Sequence, residues 1–214
     1  MSLIFISSDT MAWRVRFACA GASSSEAGAP DHIIVAYKES VANDPDRAQP
    51  TGLFPGGGAP LVGSAYDGCI TPRLPVPGPP TYRYYSWRPS RSLTPAWLFA
   101  HSGVRASTTI PGIVGYELDE RTPLSPPSTR VVGEAGTLTC LPEHEPSAAH
   151  GVGAQSTLYF TRSGGLVFAT GTLGWEYALE PVPQASPDVA RRPDGRVVAM
   201  TRNLLAHVLA GRAR

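Results

Sequence analysis

Only one segment of this 214-residue sequence has the spacing of a long amphipathic helix. Asp194 is suited to begin that helix as its N-cap, and Gly211 is suited to end it. Its apolar side recurs every three or four residues and forms one stripe: Val197, Val198, Thr201, Leu204, Leu205, Val208 and Leu209. The remaining apolar segments therefore have to be interpreted as strands and loops.

Apolar runs near both ends of the chain predict those strands. The runs at 3–6 and 32–37 are typical of buried strands in a parallel sheet, and we expect these two strands to pair in parallel. Residues 61–66 and 97–100 suggest two further short strands, the second being a strand or a turn. The runs at 156–161 and 166–170 flank a short gap that contains Gly164 and Gly165, which predicts an antiparallel hairpin.

The predicted fold class is α/β, as a single domain over residues 1–214 with a C-terminal hairpin plus helix. Gly and Pro number 22 each, which predicts long irregular loops between short elements. The run at 3–6 has no helix or strand before it, although a central strand needs a neighbour on each side. We therefore expect the domain to be incomplete at its N-terminus, with an exposed edge that favours self-association.

Charge and cysteine content exclude several classes of function. The net charge of +1 predicts no binding to nucleic acid or to an anionic membrane surface. No segment approaches the ~20 apolar residues of a membrane span, so a soluble protein without a membrane partner is expected. Three distant cysteines, Cys19, Cys69 and Cys140, are an odd number and favour a reducing, cytoplasmic compartment over a disulfide framework.

Two clusters could carry nucleophilic or metal chemistry, but a non-functional interpretation is favoured for each. Cys140 has His144 nearby, yet Pro142 is unfavourable for the strand-to-helix turn that activates a thiolate. Glu143, His144 and Glu145, with His150, could form a metal loop, but the prolines on both sides suggest a flexible acidic loop. We therefore predict an incidental thiol and no metal bound by this chain.

Polar residues that follow apolar runs are better candidates. Lys38, the only lysine, follows the run at 32–37 and could act as a charge clamp or a base. Glu117 and Asp119 follow the run at 113–116, where paired carboxylates can position a cation or transfer protons. On residue types alone, a solvated strand end is the favoured alternative for each of them.

Six segments also keep one order along the chain: 8–17, 35–38 followed by Asp44-Pro45, 61–66, 112–119, 163–175 and 200–205. Residues 8–17, with Asp9, Trp13 and Arg14, are similar to a Gly-Asn-x-x-x-Trp-Arg-hydrophobic-x motif. That motif belongs to the C-terminal domain of the N,N-dimethylformamidase large (beta) subunit. The other segments, together with Gly103, resemble later blocks of the same domain. The sequence thus resembles the C-terminal portion of this domain from about residue 3 to residue 209.

The resemblance implies a glutamine-amidotransferase-like α/β sandwich and the hydrolysis of small amides such as formamides. It also implies a mononuclear iron held by tyrosine and carboxylate side chains that lie upstream of Trp13, so that this chain itself would hold no cofactor. Lys38 and Glu117 match positions that line the pocket. Asp9 stands where the motif has Asn, which replaces a neutral amide by an anion at a third candidate position.

The function predicted from the sequence is therefore an amidohydrolase-like domain fragment. Lys38 and Glu117 would orient the amide and the attacking water, and Asp9 is the third residue predicted for the catalytic site. Activity would require the missing N-terminal segment or another subunit as a partner. The alternative from a different class is a non-catalytic scaffold or interaction module that keeps the fold, which the change to Asp9 favours.

Overall fold

A computed structural model describes residues 1–18, 33–77, 81–142, 150–180 and 192–211 of the chain. Ten strands are present in these residues: β1 Leu3–Phe5, β2 Arg16–Ala18, β3 Ile33–Val35, β4 Ala65–Ile70, β5 Tyr85–Pro89, β6 Ile110–Val114, β7 Glu117–Glu120, β8 Arg130–Pro142, β9 His150–Phe160 and β10 Leu166–Ala169. The helices are a 3₁₀ helix at Lys38–Asn43 and four α-helices: α1 Ala59–Val62, α2 Ala96–Phe99, α3 Gly174–Tyr177 and α4 Gly195–Ala210. The fold is mixed α/β with few helices.

Eight of these strands form one curled sheet. Six follow the order β1-β10-β9-β8-β4-β7, while β5 pairs with both β8 and β6. Among the described pairs, β1 with β10 is parallel and the others are antiparallel. The sheet curls so that β7, the last strand of this order, approaches β10 near the other end. Leu118 in β7 forms an isolated bridge with Thr172, just beyond β10.

The predicted parallel pairing of the strands near residues 3 and 33 is wrong. Leu3 in β1 is aligned with Val167 of β10 instead. The second run pairs antiparallel with β2 in a separate two-stranded sheet, where Ile34 lies opposite Phe17. Both residues of that pair are more than half exposed, at 63% and 57%. An apolar run indicates a strand, but it identifies neither the partner strand nor which faces are covered.

Two other strand predictions fail for a local reason. Residues 61–66 hold the end of helix α1 and the start of β4, and residues 97–100 lie largely in helix α2. Pro60 occupies the first turn of α1, and Pro95 is the N-cap of α2. Proline is favoured at the start of a helix, where its missing N–H leaves no hydrogen bond unmade. These two prolines therefore mark the starts of helices.

The predicted C-terminal hairpin and the helix that follows it are confirmed. Strands β9 and β10 form an antiparallel hairpin in which Leu166 lies opposite Phe160. Its turn needs a glycine at position 164, where φ is +81°, and the N–H of Gly164 donates to Thr161 O at 2.9 Å. Helix α4 begins where expected, since the Asp194 carboxylate accepts the Arg196 N–H at 2.9 Å, and it ends at Gly211.

The core is built on two tryptophans that meet edge to face. The rings of Trp87 in β5 and Trp175 in α3 have centroids 5.7 Å apart, and each residue is 1% exposed. Each indole N–H is satisfied at 3.1 Å, the first by Ser156 Oγ and the second by Thr201 Oγ1 of α4. Helix α4 thus closes the core through a polar contact as well as its apolar stripe. None of the described helices has the length and apolar character that crossing a membrane requires.

Candidate functional site

Strand β7 carries the two acidic residues that follow an apolar run in the sequence. Glu117 and Asp119 alternate with Leu118, a fully buried core residue, so both carboxylates leave the opposite face of the strand. Asp119 is aligned with Tyr66 of β4, and its backbone N–H donates to Gly171 O at 3.0 Å. The backbone of Asp119 is therefore held by strand pairing on one side and by the loop after β10 on the other.

The loop after β1 covers Asp119. Oδ1 of this residue accepts the hydroxyl of Ser8 and, at 3.1 Å, the backbone N–H of Asp9. The exposed fraction of Asp119 is only 1%, and that of Ser8 is 4%. This contact places the predicted candidate Asp9 directly on β7, although more than a hundred residues separate the two positions.

Burial dominates the electrostatics at this point. Removal from water raises the pKa of Asp119 to about 6, and the negative charge of Asp9 acts in the same direction. The hydrogen bonds from Ser8 and from the Asp9 N–H oppose that shift, because they stabilise the charged form. A carboxyl group with such a pKa can exchange a proton near neutral pH, which is a property that general acid–base catalysis uses.

The loop itself adopts an unusual backbone conformation. Asp9 and Met11 have φ values of +49° and +59°, a region in which non-glycine residues are uncommon but Asp and Asn are enriched. Gly58, with φ of +84°, packs against it so closely that an added Cβ would lie 2.8 Å from Thr10 O. Close packing against the glycine turn before α1 therefore helps to hold the loop on Asp119.

Lys38 lies at the start of the 3₁₀ helix rather than at the end of β3, which stops at Val35. It has a positive φ of +50°, and its N–H donates to Thr51 O at 3.0 Å. Its exposed side chain places Nζ 5.7 Å from the centroid of the Trp13 ring. That distance is within the range of a cation–π contact.

The three predicted residues differ in how they are connected to the segment 8–13 and to β7. Asp9 bonds to Asp119, and Glu117 shares the strand and the face of Asp119. Lys38 is connected through Trp13, which lies four residues beyond Asp9. That the three residues act as one site stays a prediction. The segment 8–13 connects Asp119, which Asp9 contacts, with Lys38, which Trp13 contacts.

Sequence reasoning missed the residues that hold these candidates in place. Asp119 is one half of the carboxylate pair but is not among the predicted catalytic residues, and Ser8 enters the sequence analysis only as the first residue of the motif segment. The sequence did contain a signal for Asp119, because residues two apart on a strand share a face and Asp119 lies two residues after Glu117. Trp13 was noticed only as part of a motif, without its role as the partner of Lys38.

The cysteine and metal-loop candidates cannot be placed. Cys19 and residues 143–149, which include His144, lie outside the described residues, as do the side chains of Cys69, Cys140 and His150. Within the described part, no group of three or more His, Cys, Asp or Glu side chains could hold a metal ion. Asp9 and Asp119 are only two carboxylates, and Asp119 already accepts two hydrogen bonds from the loop.

Comparison with known proteins adds a family to this geometry. A family model described as "N,N-dimethylformamidase beta subunit-like, C-terminal" matches residues 1–189. The match includes Asp9, Lys38, Glu117 and Asp119, and it ends before helix α4. The similarity drawn above for residues 200–205 therefore lies beyond the matched range. No curated protein matches the chain.

Proposed function

The chain belongs to the family of N,N-dimethylformamidase beta subunit-like C-terminal domains, and from this premise we propose that it acts in the hydrolysis of small amides. The bond broken would be a carbon–nitrogen bond other than a peptide bond. The single observation that carries the proposal is the docking of the Asp9 loop on a buried carboxyl group, Asp119, with a raised pKa, on the strand and face that also carry Glu117.

Each charged group has a role that suits its chemistry. Hydrolysis needs a polarised carbonyl, an attacking water and a proton for the leaving amine. The Lys38 ammonium has three N–H donors and no acceptor, so it suits the carbonyl oxygen of the amide. The Glu117 carboxylate can accept a proton from the water as that water attacks the carbonyl carbon. The C–N bond then breaks, and the amine leaves with a proton.

Asp9 and Asp119 have a supporting role in this proposal. Asp119 fixes the Asp9 backbone through a hydrogen bond, and its raised pKa makes its charge sensitive to pH near neutrality. The roles proposed here are those of the chain's own side chains. The glutamine-amidotransferase-like layering implied by the resemblance stays a prediction, which superposition of an experimental structure on that fold would test.

The test is amine release from formamide, N,N-dimethylformamide and acetamide, measured with and without added ferrous iron. Lys38→Met and Glu117→Gln should abolish turnover by removing one charge each. Arg105→Gln and Glu134→Gln remove charges of the same signs from exposed positions elsewhere, and they should leave turnover unchanged. Equal turnover in all five proteins would disprove the roles given to Lys38 and Glu117.

A non-catalytic interaction module is the second candidate, and one observation favours it. Phe17 and Ile34 face each other across β2 and β3, and both are more than half exposed. A cross-strand apolar pair on a separate two-stranded sheet is a feature that interaction surfaces share. Saturable binding of formamide without amine release, lost in Lys38→Met, would support binding without catalysis. Absence of both binding and release would refute the amide proposal.

A further inference from the structure

The structure contains a second buried carboxylate, Asp44, which lies at the end of the 3₁₀ helix that Lys38 begins. Its side chain has no exposed surface. Oδ2 accepts hydrogen bonds from Arg16 Nη1 at 2.8 Å, from Thr51 Oγ1 at 2.8 Å and from Thr51 N at 3.0 Å, and Oδ1 accepts the Asp46 N–H at 3.0 Å. A buried charge with this many donors is fully compensated, so the turn from Asp44 to Thr51 is a fixed unit.

Thr51 extends this fixed unit to Lys38. Its Oγ1 accepts the backbone N–H of Tyr37 at 2.8 Å, while its carbonyl oxygen accepts the N–H of Lys38 at 3.0 Å. Two successive backbone donors therefore end on one residue. The φ of +50° at Lys38 is sparsely populated for a residue with a Cβ, so surrounding contacts have to stabilise it. These two hydrogen bonds are such contacts.

The same short segment also holds the aromatic partner of Lys38. Gly52 O accepts the N–H of Arg14 at 2.9 Å, and Leu53 forms an isolated bridge with Trp13. Thr51 thus fixes the backbone under the ammonium group, while the next two residues fix the backbone under the indole ring. Three consecutive residues, 51–53, therefore hold the two backbone positions from which Lys38 Nζ and the Trp13 ring approach each other to 5.7 Å.

We propose that Asp44 and Thr51 are positioning residues for Lys38, which hold its backbone in the left-handed conformation and its ammonium group over Trp13. Arg16 supports the same arrangement, because it bonds to Asp44 and its guanidinium carbon lies 6.0 Å from the centroid of the Tyr37 ring. The part played by Lys38 towards an amide rests on the proposed function. The positioning itself does not depend on it and can be measured separately.

The measurement uses the fact that Lys38 is the only lysine of the chain. Protein labelled with ¹³C,¹⁵N-lysine has a single ε-methylene resonance, and the ring current of Trp13 should shift it upfield. Trp13→Leu supplies the unshifted reference. Thr51→Val keeps the shape of the side chain but loses the hydroxyl that connects Asp44 to Tyr37, so the upfield shift should largely disappear. Thr51→Ser keeps a hydroxyl and should restore it.

A matched control separates positioning from general loss of stability. Thr201→Val also removes a buried hydroxyl, one that accepts the Trp175 indole N–H and lies in helix α4. It should lower the melting temperature and leave the Lys38 resonance in place. If Thr51→Val unfolds, hydrogen exchange in the unmodified protein decides, since the amides of Tyr37 and Lys38 should exchange slowly. Fast exchange at both amides would overturn the proposal.

Amide assays on the same variants distinguish the two proposals. An upfield shift that is lost in folded Thr51→Val and restored in Thr51→Ser supports the positioning role, whatever the amide assays show. If turnover exists, Thr51→Val should lower it and Thr51→Ser should recover it. An unchanged Lys38 resonance in folded Thr51→Val would show that the positioning proposal is wrong, even if Lys38→Met abolishes turnover.

Discussion

The backbone N–H of Asp9 donates to the carboxylate of Asp119 at 3.1 Å, across 110 residues of chain. The acceptor is almost fully buried, and burial raises its pKa to about 6. The contact between the N-terminal loop and β7 therefore depends on a group that changes its charge close to neutral pH. Structure and acid–base chemistry are coupled at this point.

The raised pKa of Asp119 should make the stability of the folded chain depend on pH. Its folded pKa, about 6, lies above the ~3.9 of an unfolded aspartate, so the folded chain binds the proton more tightly. The stabilisation that proton binding to Asp119 gives the folded state is therefore fully present below pH ~4 and is lost as the pH rises through about 6. The loss amounts to about 3 kcal/mol in the free energy of unfolding. Asp119→Asn lacks this titration. Its stability relative to the unsubstituted protein should thus rise between pH 4 and 7.

Urea denaturation of both proteins across that range measures the difference. Glu134→Gln serves as the control, because it removes an exposed carboxylate from β8 and should show no such trend. A difference between Asp119→Asn and the unsubstituted protein that stays flat from pH 4 to 7 would contradict the raised pKa.

The N-cap of helix α4 gives a prediction of the opposite sign. The Asp194 carboxylate accepts the Arg196 N–H, and it also receives Arg196 Nε at 2.9 Å and Nη2 at 2.6 Å. The bond to Arg196 lowers the pKa of Asp194, so this stabilisation is present above pH ~4 and is lost as the pH falls. Asp194→Ala should lower the free energy of unfolding by about 1 kcal/mol at pH 7.

Asp194→Asn keeps a capping oxygen and loses the charge, so its loss of stability at pH 7 should be the smaller one. Thermal unfolding followed by circular dichroism would compare the two variants. Equal losses in both variants would show that the stabilisation comes from the charge of Asp194 and not from the hydrogen bond that it accepts as the N-cap.

Two glycines offer a matched test of core packing. A Cβ on Gly133 of β8 would overlap the buried indole of Trp87, whereas a Cβ on Gly195 at the start of α4 meets nothing within 4 Å. Gly133→Ala should destabilise the fold by about 1–3 kcal/mol or more through overpacking. Gly195→Ala should be neutral or stabilising by up to about 1 kcal/mol, because alanine favours helix. Chemical denaturation would measure both, and similar values for the two would contradict the packing described for Trp87.

The elements that could be predicted from the sequence are those with local signals. Helix α4 shows its periodicity and its cap within a few residues, and the β9–β10 hairpin is marked by its own glycine turn. The pairing of Leu3 with Val167 joins residues more than 160 positions apart. A run of three or four apolar residues does not identify such a partner, because many strands could complete the same pattern.

The candidate site shows the same limit. Glu117 and Asp119 could be found because alternating positions on a strand are visible in the sequence. Asp44 and Thr51 lie in a segment whose prolines and small polar residues are typical of a solvated loop, yet both are at most 1% exposed. Their importance comes from Arg16 and Tyr37, which meet them only in the folded chain.

Asp9 allows the coupling at Asp119 to be tested without changing Asp119. Asp9→Asn removes one negative charge, restores the residue of the family motif that the sequence resembles, and keeps the N–H that donates to Asp119. The charge of Asp9 adds to the effect of burial in raising the pKa of Asp119, so this variant should lower that pKa below about 6.

Carboxyl ¹³C NMR titration of Asp119 measures the pKa directly, and urea denaturation at pH 7 measures the stability. Asp9→Ala separates charge from conformation, since it removes the same charge but places alanine at a φ of +49°, which asparagine tolerates better. Both variants should lower the pKa of Asp119, and Asp9→Ala should be the less stable of the two. A pKa of Asp119 that is unchanged in both variants would show that burial alone raises it and that the charge at position 9 has no part in the coupling.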